Sequence, residues 1–177
     1  MVILGVDPGT IKTGYGVVHY QKNELRLLQF GVINLVKEKT LPDKLKIIYA
    51  ELNRLIEIYK PTDFSIETTF FGKNVQSALK VGYARGVSLL AAVQHQLLIG
   101  EYSPREIKKS IVGTGAASKE QVNYMVKTLL NVRDEIPLDA SDALGAAICH
   151  AFRKDKQAPS SKSWKAFAEA FPERIIE

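Results

Sequence analysis

Four acidic residues from three distant parts of the chain could together hold divalent cations. Asp7 follows the apolar run Val2–Val6 and precedes a Pro-Gly pair, which predicts a carboxylate where a buried strand stops at a turn. Glu67 ends a second short strand-like segment, and Asp139 and Asp142 lie three residues apart. If folding gathers all four carboxylates, they repel one another unless protons or cations intervene. A divalent metal is the simplest resolution.

Each of these acids also has an ordinary structural explanation. Asp-Pro-Gly is common in turns, and Asp139 could cap a helix whose positive end favours acidic residues. Capping explains Asp139 better than Asp142, and the surrounding alanine-rich segment is an unusual place for two close acids. No single acid therefore indicates a function, and the interpretation rests on all four taken together.

Hydrophobic periodicity predicts the elements that must bring the acids together. The predicted elements in chain order are strands at 2–6, 14–18 and 25–33, a helix from Leu41 ended by Pro61, a strand at 63–67, a helix from about 75 to 95, a strand at 97–102, and helices starting near Pro104, after Ser118 and around Asp139. The first three strands predict an antiparallel meander, and the fourth runs parallel to the first because a helix connects them. This predicts an α/β protein with a five-stranded mixed sheet flanked by helices.

Two parallel neighbours would then present Asp7 and Glu67 at the same edge of the sheet. That edge, at the carboxyl ends of the strands, is where open α/β sheets bind ligands. The coincidence is more informative than either acid alone. The helix at about 75–95 is small or apolar over much of its surface, so we expect it to be covered by the sheet, or by the sheet and a second subunit.

Basic residues surround a glycine-bearing loop in the second half of the chain. Arg105, Lys108, Lys109 and Lys119 flank residues 112–118. Backbone amides and ammonium groups together can hold phosphates, although surface lysines on helices are usually just solvated. The segment indicates a contact with a phosphate backbone.

Two adjacent aromatic residues, Phe70 and Phe71, follow Glu67 in a polar stretch. Such residues often plug a core, but beside a carboxylate site in a basic protein one of them could stack on an unpaired base, an interaction of about 1–3 kcal/mol. The residues alone leave both interpretations open.

Composition is that of an ordinary soluble domain. The 177 residues are 46% hydrophobic and 24% charged, with a net charge of +5 and a pI of about 9.2, which permits a polyanionic partner. No apolar run reaches the roughly 20 residues that span a bilayer and no signal peptide is apparent, so we expect a cytoplasmic protein without membrane association. Cys149 is the single cysteine, which excludes an internal disulfide and thiol-rich metal sites.

Several stretches of the sequence match one known family in its order and span nearly all of residues 1–150. These stretches are DPGTIKTGYG (7–16), IETTFFGKN (66–74), SALKVGYARG (77–86), VGTGAASKEQV (112–122) and DASDAL (139–144). In them the chain closely resembles the RuvC family of Holliday-junction resolving endonucleases, which have the ribonuclease H-like fold.

The resemblance implies that Asp7, Glu67, Asp139 and Asp142 are the catalytic acids and metal ligands. Some relatives carry a histidine where this chain has Asp139. It implies two Mg²⁺ ions per active site, replaceable by Mn²⁺, because hard cations prefer oxygen ligands. One ion would activate a water for in-line attack and the other would stabilise the leaving 3′ oxygen, with Asp7 bridging both and 5′-phosphate products.

The resemblance also implies DNA contacts and partners. Phe70 would stack at the opened junction centre, and Lys108 and Lys119 would contact DNA. Lys73 and Arg85 are further candidate contacts, with a salt bridge as the alternative for Arg85. The family implies a homodimer that makes paired symmetric nicks in recombination and repair, together with a RuvA–RuvB branch-migration complex.

The end of the chain lies beyond the matched stretches. We expect a nuclease domain at 1–152, followed at 153–177 by a polar linker and a short C-terminal helix or tail in which Trp164, Phe167 and Phe171 follow helical spacing. His19, His95 and His150 have no ligand spacing and are expected to be structural or surface groups.

Two other classes of protein share part of this pattern. A nucleotide-binding domain of the actin and sugar-kinase type also opens with a strand, Asp-x-Gly-Thr and a hairpin, but it needs two related lobes. A non-catalytic DNA-binding module could keep the same fold. The four intact acids argue against such a module, because a pure binder gains nothing from negative charge near phosphate.

Overall fold

The computed structural model describes residues 1–68 and 75–157, with side chains up to Lys154. The elements in chain order are β1 (Val2–Asp7), β2 (Lys12–Gln21), β3 (Glu24–Asn34), α1 (Leu41–Tyr59), β4 (Asp63–Glu67), α2 (Val75–Gln94), β5 (Leu98–Tyr102), α3 (Pro104–Val112), α4 (Lys119–Leu129) and α5 (Leu138–Gln157). Over these residues, no helix has the length and apolar character required to cross a membrane.

The strands form a single five-stranded sheet in the order β3-β2-β1-β4-β5. β1, β2 and β3 pair antiparallel, whereas β4 pairs parallel to β1 and β5 parallel to β4. The predicted meander and the predicted parallel crossover through α1 are both present. β2 is longer than the predicted 14–18, because its alternation of buried and less buried residues continues to Tyr20.

Helices cover both faces of the sheet, and the alternation along each strand separates two hydrophobic cores. Leu4 and Val6 of β1 belong to the core beneath α1 and α2. Ile3 belongs to the opposite core, beneath α3, α4 and α5. Since successive strand residues point to opposite faces, Asp7 points to the same side of the sheet as Ile3, toward α5.

Helix α5 lies across the middle of the sheet, and a buried polar network holds its C-terminal half in place. The His150 ring Nε2 lies 3.0 Å from Asp63 Oδ1 and its Nδ1 lies 2.9 Å from the Tyr102 hydroxyl. The Lys154 ammonium also pairs with Asp63. Residues 153–157, expected to begin a polar linker, belong instead to α5, which continues to Gln157, and Lys154 contributes to this network.

Candidate active site

The register of the two central parallel strands places the first two acids side by side. Ile3 of β1 pairs with Asp63 of β4, and Val6 pairs with Ile66. The next residue on each strand is Asp7 and Glu67, and neighbouring strands lie about 4.8 Å apart. Both carboxylates therefore lie at the carboxyl edge of the sheet, as the sequence predicted.

The start of α5 brings the other two acids to the same edge. α5 begins at Leu138, so Asp139 lies in its first turn and is not the capping residue, and Asp142 follows three residues later on the same side of the helix. A Cβ at Gly14, the residue of β2 paired with Asp7, would overlap the Asp139 carbonyl oxygen. Only glycine at that position allows the helix to start so close to β1 and β2.

Three of the acids line one cavity, and the fourth lies at its border. Asp7, Glu67 and Asp142 line a cavity of about 300 Å³ together with Lys108 and Lys119. Asp139 lines the neighbouring cleft instead, but its charge still acts on Asp7. Three of the four predicted acids thus meet in one cavity, whereas Asp139 lines the neighbouring cleft.

Burial and mutual repulsion alter the acidity of the two strand-end acids. Burial is the main cause that raises the pKa of Asp7 from 3.8 to about 7, followed by the charges of Glu67, Asp142 and Asp139. Burial, and then the charge of Asp142, raises the pKa of Glu67 from 4.5 to about 7. The nearby Lys119 opposes both shifts. Negative charge is therefore costly here until a cation compensates it.

The turn after Asp7 is held rigid by its own hydrogen bonds. The fully buried Thr13 donates from Oγ1 to the Gly9 carbonyl at 2.7 Å, and the Gly9 amide donates back to Thr13 Oγ1 at 3.3 Å. This pair ties the β1–β2 turn to the start of β2. Asp7 is consequently presented from a fixed backbone, which is what a metal or phosphate site requires.

Two lysines, Lys108 of α3 and Lys119 of α4, also line the acid cavity. Ser118 and Gln121 form a capping box that starts α4 at Lys119. A cation at a helix N-terminus is unfavourable to the helix dipole, so helix stability does not explain Lys119. Its Nζ lies instead 3.1 Å from Asp142 Oδ2, and this pairing raises the pKa of Lys119.

The donor set fits a hard divalent cation that keeps open coordination positions. Among residues 1–68 and 75–154, no group of three or more His, Cys, Asp or Glu side chains could hold a metal ion by itself. Mg²⁺ usually binds through one or two carboxylates and completes its shell with waters and substrate phosphates. Asp7, Glu67 and Asp142 around one cavity match that mode of binding.

The other predicted site residues have mixed outcomes. Arg85 pairs with Glu101 of β5, which agrees with the alternative given for it and leaves its DNA contact a prediction. Phe70, Phe71 and Lys73 lie outside the described residues. His150 is buried and structural, as expected.

Sequence reasoning missed a group of lysines beside the acids. Lys12, Lys39, Lys44 and Lys80 line the cleft that Asp139 borders. They come from three separate parts of the chain, with Lys39 and Lys44 both around the start of α1, so no local motif indicates them. The net positive charge was the only sequence signal that pointed in their direction.

The chain is similar in sequence to proteins of one family. The family model described as crossover junction endodeoxyribonuclease RuvC matches residues 3–150. A protein of that name from Chloroherpeton thalassium is 44% identical over all of this chain and all of its own length. Another from Cytophaga hutchinsonii is 47% identical, covering 98% of this chain and 88% of its own.

Solved structures show the same fold. The structure of Thermus thermophilus RuvC in complex with a Holliday junction substrate superimposes with a TM-score of 0.84 and is 31% identical in sequence. The match covers 89% of this chain and 96% of that one. The predicted ribonuclease H-like fold is confirmed.

Proposed function

The chain belongs to the RuvC family of crossover junction endodeoxyribonucleases, and on that basis we propose that it resolves Holliday junctions by metal-dependent hydrolysis of a phosphodiester in each of two opposed strands. The chain is accordingly a nuclease. Its place is in homologous recombination and DNA repair, where four-way junctions arise. The observation that carries the proposal is the convergence of Asp7, Glu67 and Asp142 on one cavity walled by lysines.

The four acids would hold the metal. Asp7 lies on β1, the central strand, and the charges of the three other acids act on it. It is therefore the acid best placed to contribute to the binding of both ions. Glu67 and Asp142 line the same cavity, and Asp139 would complete the set from its border. Bound Mg²⁺, or Mn²⁺ in its place, supplies activation of the attacking water and stabilisation of the leaving 3′ oxygen.

The lysines of the cavity would receive the DNA backbone. Lys108 and Lys119 line the same cavity as the acids, so their ammonium groups can offset the charge of a phosphodiester bound there. Lys119 also orients Asp142 through their 3.1 Å contact. We assign Phe70 to stacking at the opened junction, and Lys73 and Arg85 to weaker backbone contacts.

A homodimer would supply the two active sites that paired nicks require, because a junction has two-fold symmetry. Helix α2 offers a surface for it. Leu79, Tyr83, Leu90 and Val93 are 51–59% exposed, and their spacing places them along one side of α2. A Cβ at Gly82, on the same side, would meet nothing within 4 Å, so a second helix could approach closely there.

Such a dimer would dock with the RuvA–RuvB branch-migration complex, which delivers the junction. The sedimentation experiment described in the Discussion tests the dimer itself.

The proposal is tested with a synthetic four-way junction and a linear duplex of the same sequence, with and without Mg²⁺. We expect paired, symmetric nicks with 5′-phosphate ends on the junction only, and only with metal. The variant Asp7→Asn should abolish cutting while junction binding persists, whereas Asp134→Asn, at an exposed aspartate, should cut normally. Cutting by Asp7→Asn, or equal cutting of the duplex, would contradict the proposed function.

A further inference from the structure

A second cleft lies beside α1 and α2, which cover one face of the sheet, whereas Lys108 and Lys119 belong to α3 and α4 on the other face. It has a volume of about 650 Å³ and is formed by the β1–β2 turn, the start of α1 and the first turns of α2. Asp139 belongs to its lining. Because the charge of Asp139 also acts on Asp7, the cleft lies close to the catalytic acids.

The cleft is strongly basic. Lys12, Lys39, Lys44 and Lys80 line it, and Asp139 is the single carboxylate among its lining residues in the described part of the chain. Lys12, Lys39 and Lys80 are exposed and Lys44 is half-buried. None of the four takes part in an ion pair found among residues 1–68 and 75–154.

Four ammonium groups around one cleft, with no ion pair among them, give the cleft a positive potential that attracts anions. The nearby Asp43 carboxylate at the start of α1 does not line the cleft, and within residues 1–68 and 75–154 it forms no ion pair with these lysines. The arrangement therefore favours a ligand with several negative charges at regular spacing. A nucleic-acid backbone has that chemistry.

We infer that this lysine cleft is a second phosphate-backbone site, which holds the DNA strand on the side of the scissile phosphate opposite to Lys108 and Lys119. The inference rests on the proposed function, because it concerns the same substrate. The strand would cross the acids with basic groups on both sides, so its course through the active site is set by two anchors. With one anchor alone, the scissile phosphate could swing away from the acids.

Contacts of this kind have a measurable salt dependence. Each phosphate neutralised by a lysine adds about 0.7 to 0.9 to the slope of log affinity against log salt concentration. Removing three contacts should thus lower the slope by about 2 to 3. Between 50 and 200 mM salt, the wild-type protein should then lose roughly 20- to 40-fold more affinity than the variant.

The test compares two triple variants of the full chain with equal loss of charge. In the first, Lys39→Gln, Lys44→Gln and Lys80→Gln remove three of the four cleft lysines. The control, Lys22→Asn, Lys46→Gln and Lys60→Asn, removes exposed lysines that do not line the cleft. Asparagine is used at 22 and 60 because both residues have positive φ, which asparagine tolerates. Affinity for a synthetic four-way junction is measured without Mg²⁺ over a salt series.

A second measurement maps the contacts on the DNA, and its first part uses the wild-type protein alone. Junctions with single uncharged methylphosphonate linkages at successive positions on each side of the cut locate the contacted phosphates. We expect the wild-type protein to lose affinity for neutral linkages on both sides of the cut. The cleft variant should be insensitive on one side only.

The outcomes separate the two claims. Mg²⁺-dependent cutting by the wild-type protein is established first, and its absence contradicts the proposed function. If the wild-type protein cuts, a lower salt slope for the cleft variant alone, with one-sided insensitivity to neutral linkages, supports the inference. Equal slopes for both triple variants, or sensitivity to neutral linkages on one side only in the wild type, overturns the inference and leaves the nuclease intact.

Discussion

Replacing Asp7 with asparagine should stabilise the metal-free protein at the same time as it abolishes cutting. The reason is the local electrostatics: burial and three neighbouring acids raise the pKa of Asp7 from 3.8 to about 7. The folded protein thus holds a proton that the unfolded chain releases between about pH 4 and pH 7. Stability contributed by this proton is complete below pH 4 and is lost as the pH rises through 7.

The magnitude follows from the same two pKa values. Each pKa unit corresponds to about 1.4 kcal/mol, so the wild-type protein gives up about 4 kcal/mol of unfolding free energy above pH 7. The asparagine side chain of the variant has no proton to lose in either state. The difference between Asp7→Asn and wild type should therefore grow by about 1.4 kcal/mol per pH unit from pH 4 to pH 7 and level off above it.

Urea denaturation at equal protein concentration, in EDTA, from pH 5 to pH 8.5 measures this difference. Asp134→Asn serves as the control, because substitution at an exposed site should change stability by no more than about 0.5 kcal/mol. Added Mg²⁺ should then stabilise the wild-type protein at pH 8, by about 2.7 kcal/mol at 100 times its Kd, and should stabilise Asp7→Asn much less. A variant less stable than wild type at pH 8, or a gain that does not change with pH, would refute the electrostatic reasoning.

The same geometry leads to three further predictions. The rate of cutting at sub-saturating Mg²⁺ should rise between about pH 6 and pH 8, because protons and metal compete for Asp7 and Glu67, whose pKa values are both about 7. This rise should move to lower pH as the Mg²⁺ concentration increases. A pH profile that does not change with Mg²⁺ concentration would contradict the prediction. Gly14→Ala should push the start of α5 outward, since its Cβ would overlap the Asp139 carbonyl, and a displacement of about 1 Å can lower the cutting rate about 100-fold. In the control Gly31→Ala, the new Cβ would lie nearest to the Tyr15 side chain, so the cutting rate should fall much less. Equal effects in the two variants would argue against a special role for Gly14. Combining Leu79→Glu with Leu90→Glu should convert a dimer to monomers, as measured by sedimentation velocity. The control Val36→Glu should leave the dimer intact, because Val36 is also exposed but lies far along the chain from α2. A dimer that survives the double substitution would place the interface elsewhere.

Much of the fold and part of the site could be predicted from local patterns. A proline after Asp7 and the helix between β1 and β4 were enough to predict two parallel strands ending in Asp7 and Glu67, because strand termination and crossover handedness are local rules. Spacing placed Asp139 and Asp142 on one helical turn. These features depend on residues close together in the sequence, which is why they could be read from it.

The tertiary structure decided what depends on distant contacts. The approach of α5 to Gly14 sets the border position of Asp139 between two cavities, and no pattern within the 139–144 segment carries that information. The pairing of Arg85 with Glu101 and of Lys119 with Asp142 joins different elements. The raised pKa values of Asp7 and Glu67 arise from burial and from charges far away in sequence.

The lysine cleft shows the same division most clearly. Each of its lysines is ordinary in its own segment, and by itself the sequence determined only that the chain is basic and carries acids at strand ends. Folding alone decided that four lysines surround one cleft beside those acids. The physical reason is that electrostatic potential depends on distances in space, and strand register and helix packing set those distances for residues that are remote along the chain.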